Sequence, residues 1–218
     1  MDMYNTVVGF FQSGGIFMYP IVIVLALGMA IAIERWFYLS LARSSNHRLW
    51  KRIQPHLAKG DLMQVALLTE KSRSAISHIF SYGLSRARTS RRRDDVEIAM
   101  EEGLMETVPN LEKRTGYLAT FANIATLLGL LGTIIGLIKA FTAVAAANPS
   151  EKADMLSASI SVAMNTTAFG LMVAIPLLLI YAVLQTKTTQ MVDSLEMASV
   201  KFLNSLTDSP VSGGAKAG

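Results

Sequence analysis

Residues 125–136 read ATLLGLLGTIIG, an uncharged apolar run broken by three glycines and two threonines. The leucines and isoleucines suit lipid, whereas the glycines offer little surface and the threonines add hydroxyls. At 3.6 residues per turn, Thr126, Gly129, Thr133, Gly136 and Ala140 fall on one helix face, with Leu and Ile opposite. A second small stripe runs through Ala163, Thr167, Gly170 and Ala174. Burying Leu against another helix gains little over leaving it in acyl chains, so small faces serve close helix contact and hydroxyls bond across it. Gly132 adds to the packing residues of the first stripe. Asn165, beside Thr166 and Thr167, reads either as interhelical glue or as polar lining.

Working outward, the chain has 218 residues, 51% of them hydrophobic and only 17% charged, the balance of a membrane protein. Three windows are long enough to cross a bilayer core, which takes about 20 apolar residues: Ile16 to Ile33, Leu118 to Val144, and Ile160 to Leu184. The first has neither the basic start nor the small-residue cleavage site of a secretory signal and reads as a retained helix. It ends in Glu34, Arg35 and Trp36, a charged pair and an aromatic suited to the headgroup layer. Between Ser40 and Tyr117 lie 14 of the 20 Lys and Arg residues, against Lys152 alone in the loop between the second and third windows. The positive-inside rule then places the long segment in the cytoplasm, the N-terminus outside and the C-terminal tail inside.

The expected organisation is all-α. Residues 1–13 form an N-terminal periplasmic or interfacial segment, 14–39 the first transmembrane helix and 40–117 a cytoplasmic helical domain. Residues 118–144 form the second transmembrane helix, 145–159 a periplasmic loop and 160–184 the third helix. A cytoplasmic helix at 185–208 and a disordered tail at 209–218 complete the chain. Apolar spacing from Asp61 to Ser85 predicts a helical hairpin. The basic run from Arg86 reads as a solvated connection, and Asp94-Asp95 starts a helix at its positive dipole end. From Val96 the pattern predicts one long helix entering the second span, bent at Pro109.

Several function classes lack their residues. Cysteine is absent, and His47, His56 and His78 share no ligand spacing, so no metal or cofactor is expected. No nucleotide-binding loop, nucleophile elbow or zinc-protease motif occurs, and an enzyme is not expected. The basic residues are explained by membrane topology without nucleic acid. No Asp, Glu, His or Arg lies in the middle of a span, and Lys139 sits near an outer end, where it can snorkel. Proton relays need a titratable group at depth, so a proton path along this chain requires a partner's carboxylate.

The sequence resembles the MotA/TolQ/ExbB proton-channel family, closest to its ExbB and TolQ branch. The resemblance rests on IAIERWFYL, LEKRTGYLATFANIATLLGLLGTIIGLIKAF and MNTTAFGLMVAIPLLLIYAVL. It implies an inner-membrane complex in which five copies form a ring around a dimer of a single-span ExbD- or TolR-like partner that brings the proton-carrying aspartate. Proton flow then works on a TonB- or TolA-like transducer. Thr133 and Thr167 fall on the family's pore-lining threonines, and Pro176 on a proline that should bend the third helix. Two residues depart from the pattern: Thr126 stands where relatives often have proline, and Val162 where many carry glutamate. Proton and sodium coupling both stay open, as does the load, whether uptake, envelope maintenance, motility or secretion. Two readings follow, an ion-driven stator or channel subunit and a non-conducting scaffold that oligomerises through its small-residue faces. A solute transporter would call for inverted repeats or paired broken helices, which the sequence lacks.

Overall fold

The computed structural model describes residues 15–90, 92–146 and 148–208, and the regular elements among them are all α-helices. The expected segments at 1–13 and 209–218 lie outside the described residues. In chain order the helices are α1 (Met18–Leu57), α2 (Leu62–Glu70), α3 (Ala75–Thr89), α4 (Arg93–Glu112), α5 (Gly116–Ala146) and α6 (Lys152–Asp208). Helices α1, α5 and α6 carry the three apolar stretches long enough to cross a membrane. At 1.5 Å per residue, the 57 residues of α6 extend roughly 85 Å, far more than the ~30 Å hydrocarbon core requires. The described residues fall into two compact units: residues 15–35 with 114–183, and residues 36–113 with 184–208.

In the first unit the buried side of α1 runs through Met18, Ile21, Val24, Gly28, Ala32 and Arg35. The spacing alternates between three and four residues, the period of one helix face. Arg35 therefore departs from the expectation of a headgroup-facing residue: it occupies the next position of the buried stripe and is only 2% exposed. Glu34, one position off the stripe, is exposed and pairs with Arg114 at 3.2 Å. Gly28 packs so closely on Leu177 of α6 that an added methyl would lie 2.8 Å from its Cδ2.

The second unit is built from the later part of α1, the short helices and the later part of α6. Gly60, at φ 68°, closes α1 by letting the amides of Gly60 and Asp61 bond back to Leu57 and His56 at 3.0 Å each. Asp61 then caps α2 by accepting from the Gln64 amide at 3.1 Å, and Ser74 caps α3 through the Ser77 amide at 3.3 Å. Helices α2 and α3 form the expected hairpin. Asp94 and Asp95 stand in the first turn of α4, and Ser90 donates to Asp95 at 2.5 Å. The core stacks Phe80 on Phe202 at 4.8 Å, with Trp50 edge-on to Phe80.

Three differences from the sequence expectations have local causes. Helix α1 continues to Leu57, because Leu39, Leu49, Ile53 and Leu57 keep the buried period through a stretch otherwise rich in charge. The connection between α5 and α6 is shorter than the expected 145–159, since α6 begins at Lys152. The helix expected to run unbroken from Val96 into the second span is instead two helices. The break is not at Pro109, which lies inside α4, but at Lys113 to Thr115, where Arg114 adopts φ 64°. A non-glycine residue in that region costs about 1 kcal/mol or more. The half-exposed pair with Glu34 offsets only part of that. Burial of Leu118 in the first unit and of Leu111 in the second holds each flanking helix in place.

On the surface of the second unit, the Tyr82 hydroxyl donates to Glu106 at 2.6 Å and His78 Nε2 lies 3.1 Å from the same oxygen. The hydrogen bond from Tyr82, then that from His78, holds the Glu106 carboxyl below its ordinary range, and the same Tyr82 contact holds the phenol above its own. A depressed carboxyl stabilises above its unfolded pKa and loses that contribution as pH falls through the folded value. A raised phenol stabilises below its unfolded pKa and loses it as pH rises. Glu106→Gln is therefore expected to lower the thermal midpoint of the detergent-solubilised protein at neutral pH. The gap from the parent should close below about pH 4. A gap of unchanged size in acid would contradict this.

Candidate functional site

The buried side of α5 passes through Leu118, Ala122, Ala125, Gly129, Gly132 and Ala140. Facing it on α6 are Ala163, Thr166, Thr167 and Gly170. The two faces meet almost backbone to backbone; Gly129, Ala140, Ala163 and Gly170 of the expected stripes are buried, and Ala125 rather than Thr126 takes the buried position before them. A methyl built on Gly170 would stand 2.7 Å from the Ala125 carbonyl oxygen and 3.1 Å from Gly129 Cα. One on Gly129 would stand 3.2 Å from Thr167 Cα, and one on Gly136 would stand 2.8 Å from Ala163 Cβ. Gly132 receives the Thr166 methyl and the Phe17 side chain. Glycine is required at this crossing for the room it leaves a neighbouring backbone.

The close approach brings two hydroxyls together. Thr133 Oγ1 and Thr167 Oγ1 are hydrogen-bonded to each other. Thr167 Oγ1 also reaches the Gly129 carbonyl of the opposite helix at 2.9 Å, and Thr133 Oγ1 reaches the same carbonyl at 3.2 Å and that of Ala163 at 3.5 Å. Each hydroxyl has one proton and two lone pairs. Two protons thus serve three kinds of acceptor: the Gly129 carbonyl, the Ala163 carbonyl and the partner hydroxyl. Either threonine can donate across the pair, so the direction of the hydrogen bonds can reverse without moving a helix. Neither hydroxyl belongs to the groups that titrate near neutral pH. The cluster can orient and solvate a passing charge but cannot hold a proton as an acid does.

The other expected lining residues are placed differently. Thr166 is buried and its hydroxyl bonds to Val162 O at 3.0 Å. Thr126 is exposed and bonds back to Ala122 O at 3.1 Å, because the buried stripe passes through Ala125, one residue earlier. Asn165 is half-buried on α6. Pro176 is exposed, and α6 continues through it as one helix although the proline has no amide to donate to Met172 O. Lys139 is exposed and lies six residues beyond Thr133, roughly 9 Å along the axis. Trp36 belongs to the second unit, where Lys187 Nζ sits 3.2 Å above its ring centroid. Reading side-chain types missed the carbonyls of Gly129, Ala163 and Ala125, which no side-chain pattern reports. Extending the small stripe backward to Ala125 and Ala122 would have pointed to the crossing.

Such a chain is a multi-pass helical membrane protein whose spans enclose neutral hydrogen-bonding groups, the make-up of a conduit or packing subunit. Residues 71–197 match the MotA/TolQ/ExbB proton channel family, and the chain belongs to that family, in its ExbB/TolQ branch. It is 30% identical to an ExbB homologue of Methanothermobacter thermautotrophicus over 90% of this chain and 69% of the relative. It is also 30% identical to the biopolymer transport protein exbB1 of Vibrio cholerae over 76% and 73% of the two chains. The Tol-Pal system protein TolQ of Haemophilus influenzae is 31% identical over half of this chain and 46% of its own length. The family is one of channels rather than of enzymes.

The crossing makes a direct prediction. Gly170→Ala should force α5 and α6 apart and cost about 1–3 kcal/mol, the range for overpacking a tight contact. Gly116→Ala, where an added methyl meets nothing within 4 Å, should leave stability unchanged. Thermal unfolding in detergent compares the two, and equal midpoints would show that the crossing tolerates a wider gap.

Proposed function

We propose that this chain is the channel-forming, multi-pass inner-membrane subunit of an ion-driven energy-transducing complex of the ExbB/TolQ type. In this reading Thr133 and Thr167 line the ion path, with Thr126, Asn165 and Thr166 flanking it. Gly129, Gly132, Gly136 and Gly170, with Ala163 and Ala174, keep the helices close enough to move past one another. Five copies surround an ExbD/TolR-like single-span partner that carries the titrating carboxylate, and a TonB/TolA-like transducer receives the work. The N-terminus lies in the periplasm, and residues 40–117 and 185–208 lie in the cytoplasm, as the distribution of basic residues supports.

The observation that carries this reading is the reversible hydroxyl and carbonyl cluster of Thr133, Thr167 and Gly129, held at the crossing of two spans in a member of a proton channel family. The spans supply no acid of their own, which supports a carboxylate from another chain. A scaffold reading has one observation in its favour: the hydroxyls of Thr126, Thr133, Thr166 and Thr167 all reach backbone carbonyls of the helix pair itself.

Replacing Thr133 and Thr167 together by Val separates the two readings. The change preserves shape and removes about 1 kcal/mol of net hydrogen bonding per site. Complexes purified with the proposed ExbD/TolR-like single-span partner are expected to assemble normally while ion flux into vesicles falls by about an order of magnitude or more, as for groups that stabilise a developing charge. Running the assay with pH-sensitive and sodium-sensitive dyes reports which ion moves. Unchanged flux with normal assembly would leave the threonines as packing residues only.

A further inference from the structure

Within the second unit, a cavity of about 590 Å³ lies among Leu39 to Trp50 of α1, Ile76 of α3 and Lys187 to Ala198 of α6. The formal charges in its lining, those of Arg43 and Lys187, are both positive. Arg43, His47 and Lys187 border it, and no carboxylate does, although Asp193 and Glu196 stand on the same stretch of α6. Arg43 has no ion-pair partner among the described residues. The apolar lining comes from Leu39, Trp50, Ile76 and the two methionines Met191 and Met197.

Asn46 also lines the cavity and is 4% exposed. Its Oδ1 accepts the Ile76 amide at 3.3 Å, which fixes the orientation of the side-chain amide. The other end, Nδ2, is buried and has no hydrogen-bond partner. Burying a donor without an acceptor costs free energy, and natural structures seldom leave one so. An acceptor from outside the chain would complete it, and the surrounding cations specify that the acceptor is anionic.

The position in the chain narrows the source. Phe37 and Leu41 are 70% and 68% exposed, so the apolar surface of α1 continues to within two residues of Arg43. Lys187 follows the apolar stretch ending at Leu184 by less than one turn. A cationic rim at the edge of an apolar surface, above a partly apolar pocket with a buried donor, matches a phosphate joined to a hydrocarbon body. We infer that this cavity binds the headgroup of an anionic phospholipid, with Arg43 on the phosphate, Lys187, whose ammonium rests on the Trp36 ring, adding a second positive charge beside it, and Asn46 Nδ2 donating to one of its oxygens. Anionic leaflets attract basic residues placed next to a span, which supplies the ligand where the site lies. The inference does not depend on ion conduction.

Trp50 lines the cavity, and the only other tryptophan is Trp36. In a Trp36→Phe background, which keeps an aromatic face under Lys187, Trp50 fluorescence of the purified full chain in detergent reports occupancy. Phosphatidylglycerol with acyl chains brominated near the headgroup is expected to quench at a concentration roughly tenfold lower than brominated phosphatidylcholine, the factor that one charge-assisted hydrogen bond provides. Two variants test the contacts. Arg43→Gln with Lys187→Gln removes the charges, and Asn46→Asp keeps the acceptor for Ile76 while replacing the free donor by an acceptor. Both should abolish most of the preference. Equal quenching by the two lipids, or a preference that survives both variants, overturns the inference. Glycerol phosphate should compete only at much higher concentration. If it competes as well as the lipid, the site takes a soluble phosphate ester and the lipid assignment fails.

Discussion

The near-contact of two backbones at Gly129 and Gly170 is the constraint from which the membrane-embedded part of this protein follows. In lipid there is no hydrophobic gain in pressing one leucine-covered helix on another, so the helices must be held by dispersion at short range and by hydrogen bonds across the seam. Short range demands residues without side chains. Once α5 and α6 are this close, the hydroxyls of Thr133 and Thr167 meet each other and the Gly129 carbonyl. Packing and polarity are thus one feature: the glycines that bring the helices together also expose the carbonyl to the opposite hydroxyl.

That arrangement sets what the spans can do. A hydroxyl pair has donors and acceptors in both directions and no charge to repel or trap an ion. A titratable residue at the same depth would carry a large desolvation cost, and only Lys139, near one end of α5, is charged within the apolar windows. The proposed division of labour, with this chain supplying a neutral wall and another supplying the acid, follows from that economy of charge. Elsewhere charge is concentrated outside the spans, where α1 and α6 continue as long helices and carry the cations around Asn46.

Much of this was legible in the sequence because lipid imposes simple rules. Three apolar windows gave three spans, and the small stripes gave the seam, since glycine and threonine repeating at helical spacing have few other uses in hydrocarbon. The register was read one residue off at Thr126, because idealised helical spacing drifts from the three-and-four alternation of packed faces and Ala125 holds the buried position. The burial of Arg35 was hidden for the opposite reason: its chemistry spoke for the surface while its spacing spoke for the stripe. The break at Arg114 rests on a left-handed backbone at a residue with no preference for it, so nothing local announces it. The cavity at Asn46 joins residues 30 and more than 140 positions apart, which only the folded chain brings together.

In the proposed reading the spans of this chain form a neutral wall for ion movement, and the acid resides in another subunit. The decisive comparison is proton flux in vesicles containing the purified chain alone and in vesicles containing it with the proposed single-span partner. A neutral wall gives no flux above the lipid background for the chain alone, and flux with the partner that disappears when the partner's membrane carboxylate is neutralised. Comparable flux from the chain alone, or flux that survives loss of that carboxylate, would contradict it.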